Sequence, residues 1–200
     1  AGATQVRIGV DTSHGGTAAV FYVDTVNFTS ENISVGTRTW VGGGSDNNFT
    51  TAANWDTGAP ADGDAIVFDG LTRLTPNLNL NLSVSSLGFG SGAGAFSITR
   101  SGSEVLTVAG DIVNQSSNLQ TINLPVTITG SGRAINTGTG GITLTGGTVA
   151  AGGITKLGSG TLTLSGGSNP NLNGTISINA GNVVVNSNEQ IANNAVVAIA

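Results

Sequence analysis

The chain has 200 residues, of which 8% are charged and 4% aromatic; it contains 32 glycines and carries a net charge of −5. Its six basic residues (Arg7, Arg38, Arg73, Arg100, Arg133 and Lys156) are scattered, which argues against nucleic acid and anionic lipid as partners, because phosphate binding needs clustered cations. The absence of cysteine excludes disulfides, thiolate metal sites and thiol redox chemistry, whereas a hydrophobic content of 38% in short patterned runs excludes disorder and points to an all-β chain with frequent turns.

In chain order, residues 1–38 form a β-rich N-terminal segment. Its run Phe21-Tyr22-Val23-Asp24-Thr25-Val26-Asn27-Phe28 is similar to the last strands of a jelly-roll or lectin-like domain. Ala1-Gly2-Ala3-Thr4 has neither the charged start nor the apolar core of a signal peptide. Any export signal is therefore expected to lie outside this sequence, which reads as a fragment of a longer protein. No apolar run approaches the roughly 20 residues of a membrane-spanning helix. Eight of the eleven acidic residues lie before residue 71, residues 39–76 hold both tryptophans, and nothing after Phe96 is aromatic. Beyond Phe96 the core must come from Val, Ile, Leu and Ala, which suits the narrow interior of a stacked coil.

Short alternating segments recur through residues 77–200, at Ser83–Phe89, Phe96–Thr99, Leu106–Val108, Thr121–Thr129, Ile142–Thr145, Thr161–Leu164, Thr175–Ile178 and Val183–Val185. In Thr161-Leu162-Thr163-Leu164 the period is two, which puts both leucines on one face. Strands this short are unstable singly or as hairpins. They become stable when each pairs with its equivalents in the coils above and below. Asn173-Gly174 and Asp69-Gly70 are the best hairpin-turn signals, but the strands beside them are short. Asn188–Ala200 is the one stretch whose pattern also allows a helix.

The segment Gly152-Gly153-Ile154-Thr155-Lys156-Leu157-Gly158-Ser159-Gly160-Thr161-Leu162-Thr163-Leu164-Ser165-Gly166, followed by Asn173-Gly174-Thr175-Ile176-Ser177-Ile178-Asn179-Ala180-Gly181-Asn182-Val183-Val184-Val185, resembles the autotransporter-associated β-strand repeat. The hallmark of that repeat is a GGLTKxGxGTLTLSG run followed by a GGTTINAGTLxL run. The connection at Gly167–Leu172 departs from the family pattern. More loosely, Trp40–Phe49, Ala53-Asn54-Trp55 and Asp62–Phe68 are similar to the segment that precedes such repeats. The resemblance implies a right-handed parallel β-helix, or β-solenoid, preceded by the short N-terminal segment. It further implies an extracellular passenger stalk on a bacterial cell surface.

The candidate chemistry is thin. His14, the only histidine, lacks a second histidine or a cysteine with which to build a triad or a metal site, and reads as a turn residue. Asp46, Asp62 and Asp64, with Asp69, Asn47, Asn48 and Asn54 nearby, are calcium candidates because calcium takes several loop oxygens. Turn formation by Asp and Asn accounts for the same residues, and no other cofactor is expected. Trp40, Trp55 and Phe68 are expected to plug the first coil, since an open solenoid end exposes core and unpaired edges. Exposed, the tryptophans would instead offer sugar-stacking faces. The Thr-x-Thr pairs at Thr127/Thr129, Thr143/Thr145 and Thr161/Thr163 are unevenly spaced, and neighbouring pairs are expected on different faces.

Paired carboxylates for polysaccharide cleavage are absent beyond residue 70, where the acids are Glu104, Asp111 and Glu189. The expected function is therefore a non-enzymatic structural one, as stalk or fibre subunit. The chain would associate head-to-tail with itself or with flanking domains of the same protein. The alternative is an adhesin that binds surface glycans through the N-terminal region.

Overall fold

The computed structural model describes residues 35–166, 172–186 and 191–200. Every described element belongs to the unit of residues 33–200. Residues 1–34 of the N-terminal segment read from the sequence, with His14 and the Phe21–Phe28 run, lie outside the described residues, while its last two, Thr37 and Arg38, open the first strand.

The strands follow one another as coils. After β1 (Thr37–Trp40) comes a first full coil of β2 (Ala65–Phe68), β3 (Asn77–Leu78) and β4 (Leu82–Val84). The second holds β5 (Ser86–Phe89), β6 (Ser97–Arg100) and β7 (Leu106–Val108), and the third β8 (Ile112–Asn114), β9 (Gln120–Ile122) and β10 (Val126–Ile128). The fourth holds β11 (Ser131–Asn136), β12 (Ile142–Leu144) and β13 (Thr148–Val149). Next come β14 (Gly152–Leu157) with β15 (Thr161–Leu164), then β16 (Thr175–Ile178) with β17 (Asn182–Val185), and finally β18 (Val196–Ile199).

Equivalent strands stack. Sheet A runs β1-β2-β5-β8-β11-β14-β16-β18, sheet B β3-β6-β9-β12-β15-β17, and sheet C β4-β7-β10-β13. Every strand pair is parallel, so the chain is a parallel β-solenoid of about six turns. The repeat length varies: Ala65 pairs with Ser86, but Leu87 with Ile112, a step of 21 and then of 25 residues. Register is nonetheless kept on every sheet, because a one-residue slip would turn the apolar set outward. The extra residues go into the bends.

The period-two pattern is kept in most strands from β2 to β15. Burial alternates along Ala65–Phe68, Ser86–Phe89 and Thr161–Leu164, with Ile66, Phe68, Leu87, Phe89, Leu162 and Leu164 inside. The aromatic core residues Trp40, Phe49, Trp55, Phe68, Phe89 and Phe96 all lie in the early coils, and the apolar core beyond them is Ile, Leu, Val and Ala.

Asp69-Gly70 and Asn173-Gly174 make no hairpins. Gly70 and Gly174, at φ +77° and +92°, sit in bends between parallel strands. Nor does the region of Asn188–Ala200 form a helix where it is described: Val196–Ile199 is a strand paired to β16. Its residues continue the sheet register of Thr175–Ile178, and that pairing overrides the local pattern.

Candidate functional site

The most elaborate local structure closes the N-terminal edge of the coils. Trp40, the last residue of β1, stacks in register on Phe68 of β2 and then Phe89 of β5. Phe49 and Trp55 return between them from the long loop after β1. Ring centroids lie 5.2 Å apart for Trp40–Trp55 and for Phe49–Trp55, both edge-on, and 5.3 Å apart for Phe68–Phe96. Offset and edge-on geometries are the favourable ones for aromatic rings. The Trp55 indole N–H donates to the Phe49 carbonyl at 2.8 Å, which satisfies a polar group inside the plug. Trp40, Phe49 and Phe68 are fully buried, and Trp55 is 3% exposed.

The same loop covers the strand edge. Trp55 bridges Trp40 antiparallel, against the parallel direction of the sheets. The Val41 N–H donates to the Asn54 carbonyl, the Asp56 N–H donates to the Thr39 carbonyl, and the Asp56 carboxylate accepts from the Thr39 N–H. The N–H groups of Thr39 and Val41 and the Thr39 carbonyl are thus taken. Arg73 braces the loop from the next coil, donating to the Gly42 carbonyl and to Asn47 Oδ1. To do so it holds a left-handed φ of 49°, unusual for a non-glycine residue.

The three calcium candidates occupy separate places, each bound to N–H or O–H donors. Asp46 accepts from the Asn48 N–H, the Asn48 side-chain amide and the Thr51 hydroxyl. Asp62 accepts from the Ser83 N–H. The fully buried Asp64 accepts from the Gly36 and Ala61 N–H groups and from Arg38 Nε, the last at 3.0 Å. Burial alone would raise the pKa of Asp64, but the two backbone donors and the Arg38 guanidinium outweigh it and hold it below the usual 3.8. Hydrogen bonds from Asn48 and Thr51 lower that of Asp46. Among the described residues no three His, Cys, Asp or Glu side chains come together as a metal site. The carboxylates act as turn and edge staples.

Two features inside the coils escaped the sequence reading. The first is a line of buried polar residues at the bend from sheet A to sheet B. Gln120 Nε2 donates to the Gly94 carbonyl, Asn114 Nδ2 to the Asn118 and Gly141 carbonyls, and the Thr137 hydroxyl to the Gly160 carbonyl. The second is Lys156, which is fully buried. Both hold backbone carbonyls that the bends turn inward, and such carbonyls need donors. Period-two patterning reached only β9 among their strands, and nothing in it signalled that polar residues would face inward.

On the outer face of sheet A a shallow groove is lined by Val67, Ser86, Gly88, Asp111, Val113, Gln115 and Arg133. Asp111 is committed to the Ala134 N–H, and no second carboxylate lines the groove. On sheet B, Ser97, Thr121, Thr143 and Thr163 pair in register across four coils. Thr127 lies on sheet C, so it is on a different face from Thr143, as expected. Thr143 and Thr163 do share a face. Compared with known proteins, the chain matches no family model, no curated protein and no solved structure.

Proposed function

We propose that the chain is a length of extracellular structural solenoid, a stalk on a bacterial surface, and not an enzyme. The observation that carries this reading is the division of roles in the coils. Every buried polar group described above serves a backbone group or a neighbouring side chain, and the outer faces carry hydroxyls and amides with few charges. A spacer needs the backbone stacked and the core dry, and it needs nothing else. The repeat-like runs Gly152–Gly166 and Asn173–Val185 add the surface location through their resemblance to passenger repeats.

The burial of Trp40 and Trp55 weighs against the glycan-binding alternative, since it removes the two ring faces on which a sugar would stack. The covered edge of β1 weighs against head-to-tail stacking, which would need that edge free.

The test is excision of one coil in register. Ser131 pairs with Gly152, so deleting residues 131–151 joins Gly130 to Gly152 and brings β14 onto β8. A spacer stays folded and stays surface-exposed, as read by antibody labelling of intact cells that carry the full-length protein. Loss of labelling with the fold intact, or labelling seen only after lysis, overturns the proposal.

A further inference from the structure

Lys156 is the only lysine in the chain. It occupies an inward position of β14, in register with Ile135 before it and Ile178 after it, and is fully buried. Packing alone would be served by a third aliphatic residue. Its Nζ instead donates to three backbone carbonyls, Leu157 at 2.9 Å, Gly158 at 2.7 Å and Ala180 at 2.9 Å. Three acceptors match the three donors of an ammonium group. Two belong to the bend that follows β14, and the third belongs to the equivalent bend one coil later.

No carboxylate shares this site. The one ion pair among the described residues is Arg38–Asp64, on β1 and beside β2. A buried charge is tolerated only where its hydrogen bonds are met, and here carbonyl dipoles alone meet them. The bends themselves explain the need. Gly158 and Gly181 take φ of +78° and +68°, and a Cβ on Gly181 would crowd Lys156 Nζ, the Gly158 carbonyl and the Gly160 carbonyl. Earlier coils meet the same demand with neutral donors, Gln120, Asn114 and Thr137.

We propose that the bends after β14 and β16 form a three-carbonyl cation cage, that Lys156 is its covalently tethered cation, and that the cage holds these two coils in register. The cage is selective by construction: it fits a small monovalent ammonium and offers no charged ligand for a divalent metal.

The test uses the 200-residue chain with Lys156→Met and Lys156→Ala, read by amide hydrogen exchange. Methionine keeps the bulk and removes the donors, which leaves the Gly158 and Ala180 carbonyls unpaired. Protection over residues 157–160 and 175–185 is expected to fall about tenfold or more, with residues 82–122 unchanged. In Lys156→Ala, ethylammonium chloride is expected to restore protection in those stretches beyond what equal sodium chloride restores. Wild-type protection in Lys156→Met, or a loss spread evenly over all coils, overturns the cage. So does a recovery in Lys156→Ala that sodium chloride reproduces. Should Lys156→Ala fail to fold, the exchange pattern of Lys156→Met decides alone.

Discussion

Phe68 is the hub of the aromatic plug, and replacing it with alanine tests whether that plug holds the first coils. Its ring centroid lies 5.9 Å from Trp40, 5.8 Å from Phe49, 5.8 Å from Trp55, 5.6 Å from Phe89 and 5.3 Å from Phe96. Truncating a buried phenylalanine costs about 3–5 kcal/mol. The upper half of that range applies here, because five ring pairs, each worth roughly 0.5–1.5 kcal/mol beyond burial, are lost together. At roughly 2–4 °C per kcal/mol for a unit of this size, the melting temperature falls by about 10 °C or more.

Trp40 and Trp55 are the only tryptophans, so indole emission reports on the plug directly. Urea unfolding followed by that emission, with hydrogen exchange as a second probe, locates the loss. Solenoids couple mainly nearest neighbours, so exchange should rise in β1, β2 and β5 and stay low in β12 and β15. A control substitution, Val67→Ala, faces outward on the same strand and should cost much less. A loss under about 1 kcal/mol for Phe68→Ala, or emission unmoved by it, would refute the reasoning.

Further tests follow from other residues. Gly146 lies where a Cβ would overlap the Leu124 carbonyl carbon of the preceding coil, whereas a Cβ on Gly88 would meet Val67 Cγ2 at an ordinary 3.5 Å. Gly146→Ala should therefore destabilise the chain, while Gly88→Ala should raise the denaturation midpoint by relieving about 0.5–1 kcal/mol of glycine's chain entropy. Asp46, Asp56 and Asp64 all titrate below 3.8 in the folded state. Their stabilisation is thus complete above that value and is lost as the pH falls through their lowered pKa values; a denaturation series from pH 6 to pH 2 should show the decline, and Asp64→Asn should reduce it. Burial pushes Lys156 below its usual 10.5, so the unfolded chain holds that proton more tightly. Stability should rise with pH between the lowered value and 10.5, and Lys156→Met should abolish that rise.

The parts legible in the sequence were those governed by a period of two. Thr161–Leu164 and Thr175–Ile178 were read to the residue, because alternation of small polar and aliphatic side chains leaves one face to bury. The aromatic plug was legible too, since two tryptophans before an aliphatic stretch point to a closed end. What escaped was set by the bends. β11 begins Ser131-Gly132-Arg133, three exposed residues with no apolar signal, and forms because β8 and β14 flank it. The polar residues at the bends were hidden for the same reason. Whether Gln120 or Lys156 faces inward depends on which carbonyls the neighbouring coil turns toward it, and residues some 20 positions apart decide that. For Asp64 the sequence offered calcium binding or turn formation, and its bonds to Gly36 and Arg38 were not legible because those partners stand 28 and 26 positions away.

The antiparallel strap across β1 gives the stack a polarity. A parallel strand arriving at that side finds the N–H groups of Thr39 and Val41 and the Thr39 carbonyl already engaged by Asn54 and Asp56. On the other side, β18 shows Val196, Val197 and Ile199 at 60%, 50% and 79% exposure. A swapped or aggregating strand is therefore refused at the β1 edge of sheet A.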